Sequence, residues 1–237
     1  FGGKRRAAPL VWQALGDPSG YVEPFAGSAA VLLARPAFTG RRVETINDAD
    51  GWLVNTWRAL QLSPDAVAAH AFGPVIEIDY HARLAWLQER RTPELVSWLE
   101  GDPEAHDAKA AGWWLYVVAC GIGDPFGPGP WRVIDGHLRK LPHLGDAGQA
   151  LAAYLNRIAE RLTRVRITCG SWERVVKPSV TRSGAQGDGS RAIFLDPPYA
   201  TSGDLYVHVD TDVSHAVREW CLTKAGPAMR IVLCGYD

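Results

Sequence analysis

Gly20-Tyr21-Val22-Glu23-Pro24-Phe25-Ala26-Gly27-Ser28-Ala29-Ala30-Val31-Leu32-Leu33-Ala34 opens with a β-like run, passes through small residues, and closes on an apolar helical pattern. It reads as strand, tight loop and helix. In such a unit the helix N-terminus turns free N–H groups toward a ligand carboxylate or phosphate, and Gly27 with Ser28 lets the backbone come close. The same residues also read as a plain structural β–α corner. Working outward, Arg42-Val43-Glu44-Thr45-Ile46-Asn47-Asp48 looks like a second strand ending in an acid. That is roughly the offset at which an open α/β sheet offers a carboxylate to ribose hydroxyls. Leu53, Val54, Trp57 and Leu60 then fall at helical spacing, which gives a β-α-β-α start and an α/β, Rossmann-like fold class.

From Ser63 the pattern changes. Residues 64–71, 79–91, 93–100, 103–120 and 147–164 are each amphipathic or richly apolar and predict helices, with Pro64, Pro93 and Pro103 at their starts. No segment here signals a strand belonging to the sheet, so 63–163 is expected to be an all-helical insert. Trp86, Trp98, Trp113 and Trp114 are most simply its core. The Gly- and Pro-rich run 121–130 excludes regular structure. Sheet signals resume at 164–168, followed by the turn and short helix of 169–176. A polar linker at 183–190 leads to Ala192-Ile193-Phe194-Leu195, then Asp196-Pro197-Pro198-Tyr199. Val213–Leu222 predicts a helix and Arg230–Cys234 a last strand. The expected domains are therefore 1–62 with 164–237, and 63–163.

The chain has 237 residues, of which 47% are hydrophobic and 22% charged, which excludes disordered and fibrous classes. Cys120, Cys169, Cys221 and Cys234 are scattered, so neither a zinc site nor a disulfide framework is suggested, and a reducing cytoplasmic setting is expected. No apolar run approaches the roughly 18–20 residues of a membrane span, so no membrane association is expected. Formal net charge is only −1, but it is unevenly spread. Residues 61–111 hold four basic against nine acidic residues, and 130–182 hold ten basic against four acidic. A basic stretch is commonly a solvated face, and it also suits phosphate tracking. Arg132, Arg139 and Lys140 are the candidates for phosphate contact.

Asp196-Pro197-Pro198-Tyr199 is where chemistry is expected. Each proline locks its own φ and restricts the residue before it, so a carboxylate and a free backbone carbonyl stand in a nearly fixed relation. Two acceptors and an aromatic face suit a planar amino group, although a Pro-Pro turn closing a strand has a bland structural reading as well.

Together, Phe1-Gly2-Gly3-Lys4, Glu23-Pro24-Phe25-Ala26-Gly27-Ser28, Asn47-Asp48-Ala49-Asp50 and Asp196-Pro197-Pro198-Tyr199 resemble, in order, the motifs of Dam-like DNA adenine N6-methyltransferases. The resemblance implies a Rossmann-like methyltransferase sheet with a target-recognition insert. It implies S-adenosyl-L-methionine as methyl donor, no metal, and double-stranded DNA as partner, in the cytoplasm of a prokaryotic or phage-infected cell. Asp196, Pro197, Pro198 and Tyr199 become the catalytic turn, acting on a base rotated out of the duplex. Phe1, Lys4, Glu23, Phe25, Gly27, Ser28, Asp48 and Asp196 become donor-binding residues. This chain departs from the family's pattern at Ala29, where a glycine is common, and at Ser171, where an acid is common and Trp172 is left to stack. The family's remaining strands and final helix would lie beyond Asp237. Cytosine-N4 or RNA-adenine methylation, and a catalytically inactive DNA-binding module, are the competing expectations.

Overall fold

The computed structural model describes residues 3–37, 42–90, 92, 94–121, 132–134, 137–139, 148–181, 189–197, 211–224, 226 and 229–235. The elements in chain order are α1 (Gly3–Leu15), β1 (Gly20–Glu23), α2 (Ala30–Leu33), β2 (Val43–Asp48), α3 (Gly51–Leu62), α4 (Pro64–Ala71), α5 (Glu77–Glu89), α6 (Glu94–Gly101), α7 (Ala108–Cys120), β3 (Arg132–Ile134), β4 (His137–Arg139), α8 (Gly148–Leu162), β5 (Val165–Cys169), a 3-10 turn (Trp172–Arg174), α9 (Pro178–Thr181), β6 (Arg191–Leu195), α10 (Thr211–Lys224) and β7 (Met229–Leu233). The chain divides into two compact units, one of Gly2–Asp50 with Arg164–Asp237 and the other of Gly51–Thr163. The division falls before α3, whereas the sequence reading ended the first domain at 62. Among the described residues no helix is long and apolar enough to cross a membrane.

The first unit is a five-stranded, all-parallel sheet in the order β5-β2-β1-β6-β7. Taken along the chain, the strands run outward from β1 and then return to its other side, the strand order of a Rossmann-like sheet. Strand alternation assigns the two faces. Tyr21 turns toward α1, its ring 4.8 Å from that of Trp12. Val22, Ile193 and Leu195 turn the other way and pack with Trp172, Val175, Val176 and Val217. Helical elements therefore cover both faces.

No element was expected before Gly20, yet α1 is there. Its sequence signal is masked by Lys4-Arg5-Arg6 and by Pro9, which removes one helical N–H. The helix holds because Ala8, Val11, Trp12 and Leu15, at i, i+3, i+4 and i+7, are all buried. Trp12 Nε1 also donates to the Val31 carbonyl at 2.8 Å.

In the second unit α7 starts at Ala108, five residues later than the sequence implied. Asp107 is its N-cap, accepting from Ala110 N at 2.8 Å, and Asn55 of α3 exchanges hydrogen bonds with the Asp107 backbone in both directions. The all-helical expectation is corrected by the antiparallel hairpin β3–β4, which pairs Val133 with Leu138. The signal for it was present in Arg-Val-Ile-Asp-Gly-His-Leu-Arg, where Asp-Gly separates two short strand-like runs. The core placement of the tryptophans also needs correction: Trp114 is buried, but Trp98 is 46% exposed.

Helices α4 and α7 meet at Gly112. A Cβ at this position would clash with His70 Cβ and lie 2.6 Å from the Val67 carbonyl oxygen, both fixed by α4. Gly112→Ala gains helix propensity worth about 1 kcal/mol, but overpacking costs about 1–3 kcal/mol. The variant should unfold at lower urea concentration than the wild type. An unchanged or raised midpoint would show that the two helices separate freely.

Candidate active site

The carboxyl ends of the parallel strands converge beside the point where strand order reverses, between β1 and β6. Ligands of open α/β sheets bind in the crevice at that position. Glu23 ends β1 and leads into the loop 24–29, while Asp196 follows β6 directly. The two segments singled out from sequence thus lie at the carboxyl ends of adjacent strands.

Asn47 and Asp48, the last residues of β2, organise this end of the sheet. The Asn47 side chain is 1% exposed and donates to the carbonyls of Pro24, at 3.0 Å, and Gly170, at 2.8 Å. Its Oδ1 accepts from the Thr168 hydroxyl at 2.8 Å. Its backbone carbonyl accepts from Ala26 N at 2.9 Å. Asp48 takes Gly27 N on Oδ2 at 2.9 Å and Asp50 N on Oδ1 at 3.0 Å, and its carbonyl accepts from Gly170 N. The loops after β1 and β5 are therefore both anchored to β2. Gly27 sits at φ 49°, which its lack of Cβ makes inexpensive. Ala29 adopts φ 50°, ψ 30°, the left-handed conformation, at a cost of about 1–2 kcal/mol for an L-residue. That is the position at which the resembling family commonly has glycine.

Glu23 is fully buried. One carboxylate oxygen, Oε2, accepts from both the Tyr21 hydroxyl at 3.0 Å and Leu32 N at 3.1 Å, so the side chain fastens α2 to β1. Burial pushes its pKa up to about 8, against the opposing pull of these two donors, and the nearby carboxylates of Asp196 and Asp48 raise it further. Burial also raises Asp48, to about 6, with the N–H groups of Asp50 and Gly27 opposing.

Lys4, reaching from α1, pairs with Asp196 Oδ1 at 2.8 Å, with both side chains partly exposed. Pro197 beside it is buried. Cys234 stands next to this pair because its N–H donates to the Leu195 carbonyl at 2.8 Å. Burial raises its thiol pKa, and the Lys4 ammonium pulls it down. Trp172 is almost wholly buried, with ring centroids 6.1 Å from Phe25 and 6.0 Å from Trp220, so it packs within the unit's core. Ser171 caps the 3-10 turn by accepting from Glu173 N.

The structure thus groups Lys4, Glu23, Phe25, Gly27, Ser28, Asp48, Asp196 and Pro197 in the sheet unit. Arg132 and Arg139 belong to the hairpin of the other unit, with only their backbone described. Phe1, Lys140, Pro198 and Tyr199 lie outside the described residues. Sequence reasoning missed the roles of Asn47, Tyr21 and Cys234. The spacing of Tyr21 and Glu23, two apart on one strand, carried a signal that both side chains share a face.

The fold and site define a doubly wound parallel α/β sheet with the acids Glu23, Asp48 and Asp196 at the carboxyl ends of its strands. No family model matches the chain, and no curated protein matches its sequence.

A folded Glu23 titrating near 8 keeps a proton that the unfolded chain, with a carboxyl near 4.5, gives up. Stability from this group is fully present below about 4.5 and is lost as pH rises through about 8. Asp48 acts in the same direction between about 4 and about 6. Urea titrations of wild type and Glu23→Gln should therefore give a difference that moves in favour of the variant from about pH 5 to about pH 8 and then levels. A pH-independent difference would refute a protonated Glu23.

Proposed function

We propose that this chain transfers a methyl group from S-adenosyl-L-methionine to N6 of adenine in double-stranded DNA. The observation that carries the reading is Asp196, held by Lys4 at 2.8 Å and followed by the buried Pro197, at the carboxyl end of β6. Across the switch point lies the glycine loop anchored by Asp48. The sequence motifs that fall on these positions are those of the resembling family.

The residues present fit such a donor. The left-handed backbone at Gly27 and Ala29 keeps the loop tight at the head of α2, and the Asp48 carboxylate is fixed at the loop's base by Gly27 N and Asp50 N. Gly27 and Ser28 would hold the donor's amino-acid part, Asp48 its ribose hydroxyls, and Phe25 would pack against it. The donor supplies an electrophilic methyl group on a sulfonium.

The chain's own task concerns the acceptor. An exocyclic adenine amine is a poor nucleophile because its lone pair is delocalised into the ring. Asp196, through its carboxylate, and Pro197, through its carbonyl, would accept the two N–H bonds and draw the nitrogen toward tetrahedral geometry. The N–C bond forms as the S–C bond breaks, and the surplus proton passes from the amine to Asp196 or solvent. Lys4 fixes the carboxylate's orientation. Tyr199, by the motif, would stack on the base face.

Asp196→Ala should abolish transfer of labelled methyl groups to duplex DNA while donor affinity stays within about tenfold, roughly 1.4 kcal/mol. Nucleoside mass spectrometry of treated DNA and RNA should give N6-methyladenine from DNA. Wild-type rates in the variant would sink the assignment of Asp196, and N4-methylcytosine or methylated RNA would redirect the acceptor.

A further inference from the structure

The helical unit holds a ladder of cations and aromatic rings along the seam of α5 and α7. Arg83 and Trp86, with Arg90 just past the helix end, lie at i, i+3 and i+7; Lys109, Trp113 and Tyr116 of α7 lie at i, i+4 and i+7. These spacings put each set on one helix face. Arg90 lies 4.1 Å from the Trp86 ring centre, Lys109 lies 4.9 Å from Trp86 and 4.4 Å from Trp113, and Arg83 lies 5.7 Å from Trp113 and 3.9 Å from Tyr116. The two indoles meet edge to face at 5.0 Å. Cation and ring therefore alternate along the seam. The Tyr116 end is buried, with Arg83 Nη1 shut away from hydrogen-bond partners. The Arg90 end is open: Arg90 is exposed and Trp86, Lys109 and Trp113 are half-buried.

A cation held on a ring face spends none of its N–H donors there. Lys109 has no ion pair among the described residues, and Arg90 has one, to the exposed Glu89 at 3.2 Å. The rings also restrict long side chains that would otherwise lose rotamer freedom on binding. We propose that the open end of this ladder, Arg90 and Lys109 on Trp86 and Trp113, is a contact surface for the phosphate backbone of nucleic acid. The inference rests on the proposed function for its choice of polyanion. Residues 61–111 carry more acids than bases, so the contact is local and does not draw on a broad positive field. Glu89 competes with phosphate for Arg90.

The test is donor-free binding of a fluorescent duplex of about 20 base pairs, read by anisotropy from roughly 50 to 300 mM salt. Lys109→Gln and Arg90→Gln should each weaken binding about three- to tenfold near 100 mM and lower the salt slope by about one. Glu89→Gln should tighten binding about two- to threefold by freeing Arg90, a gain that a purely structural ladder does not give. Unchanged thermal unfolding and donor affinity in these variants would exclude misfolding as the cause. Wild-type affinity and slope in both cation variants overturn the proposal, as does weaker binding by Glu89→Gln or equal competition from polyglutamate. Duplex binding that follows the expected pattern without methyl transfer leaves this surface standing and removes the proposed activity. Methyl transfer with unaffected cation variants does the reverse.

Discussion

The two strands flanking β2 end in loops that have no ladder of their own, and what holds those loops is the Asn47 side chain. A buried amide is costly unless its donors and acceptor are met. Here both N–H groups reach carbonyls, one on the loop after β1 and one on the loop after β5, and the oxygen takes the Thr168 hydroxyl. The geometry is over-determined, because the neighbouring Asp48 bonds Gly27 and Gly170 as well. The loops after β1 and β5 inherit their placement from this dipeptide.

The carboxyl end of the sheet is also an electrostatic compromise. Glu23 and Asp48 are buried acids, and Asp196 lies close enough to Glu23 to raise its pKa. Burial of a carboxylate is tolerated when the group is neutral or well supplied with donors. The two acids divide these solutions: Glu23 holds its proton through the neutral range, while Asp48 is supported by the backbone N–H groups of Asp50, Gly27 and Ala49. Lys4 answers Asp196 from outside the sheet. A region built around carboxylates is thereby kept from accumulating negative charge.

Much of this was legible in the residues. Apolar runs ending in acids marked β1, β2 and β6, because a strand buried on both faces has to be continuous in hydrophobicity and change character where it surfaces. The helices of 64–120 followed from periodicity, and their errors lie at the ends, where Asp107 rather than Pro103 supplies the cap. Other features depended on partners distant in sequence. Arg90 and Lys109 were countable as charges, but their shared relation to Trp86 needs the α5–α7 packing. Cys234 joins Asp196 only through pairing of β6 with β7. Asn47 was visible as a motif residue, while its bonds to Pro24 and Gly170 span 23 and 123 positions. Local propensity holds no information about such closures.

The parallel pairing of β2 with β5 joins Asp48 to Cys169, and everything between the two strands has to be laid out before that pair can form. A parallel pair always needs a crossover, ordinarily of a dozen or more residues. Here the crossover is an entire compact unit with its own core. Its length adds only about 2 kcal/mol of closure entropy over a short crossover, since the cost grows with the logarithm of length. Its effect falls instead on time. The helical unit is rich in local contacts and can condense alone, whereas β5 has to wait at the growing edge of an unfinished sheet. During synthesis, an unpaired β2 edge would persist until residue 169 emerged, and the interval in which this chain is open to strand-mediated aggregation is set by its insert.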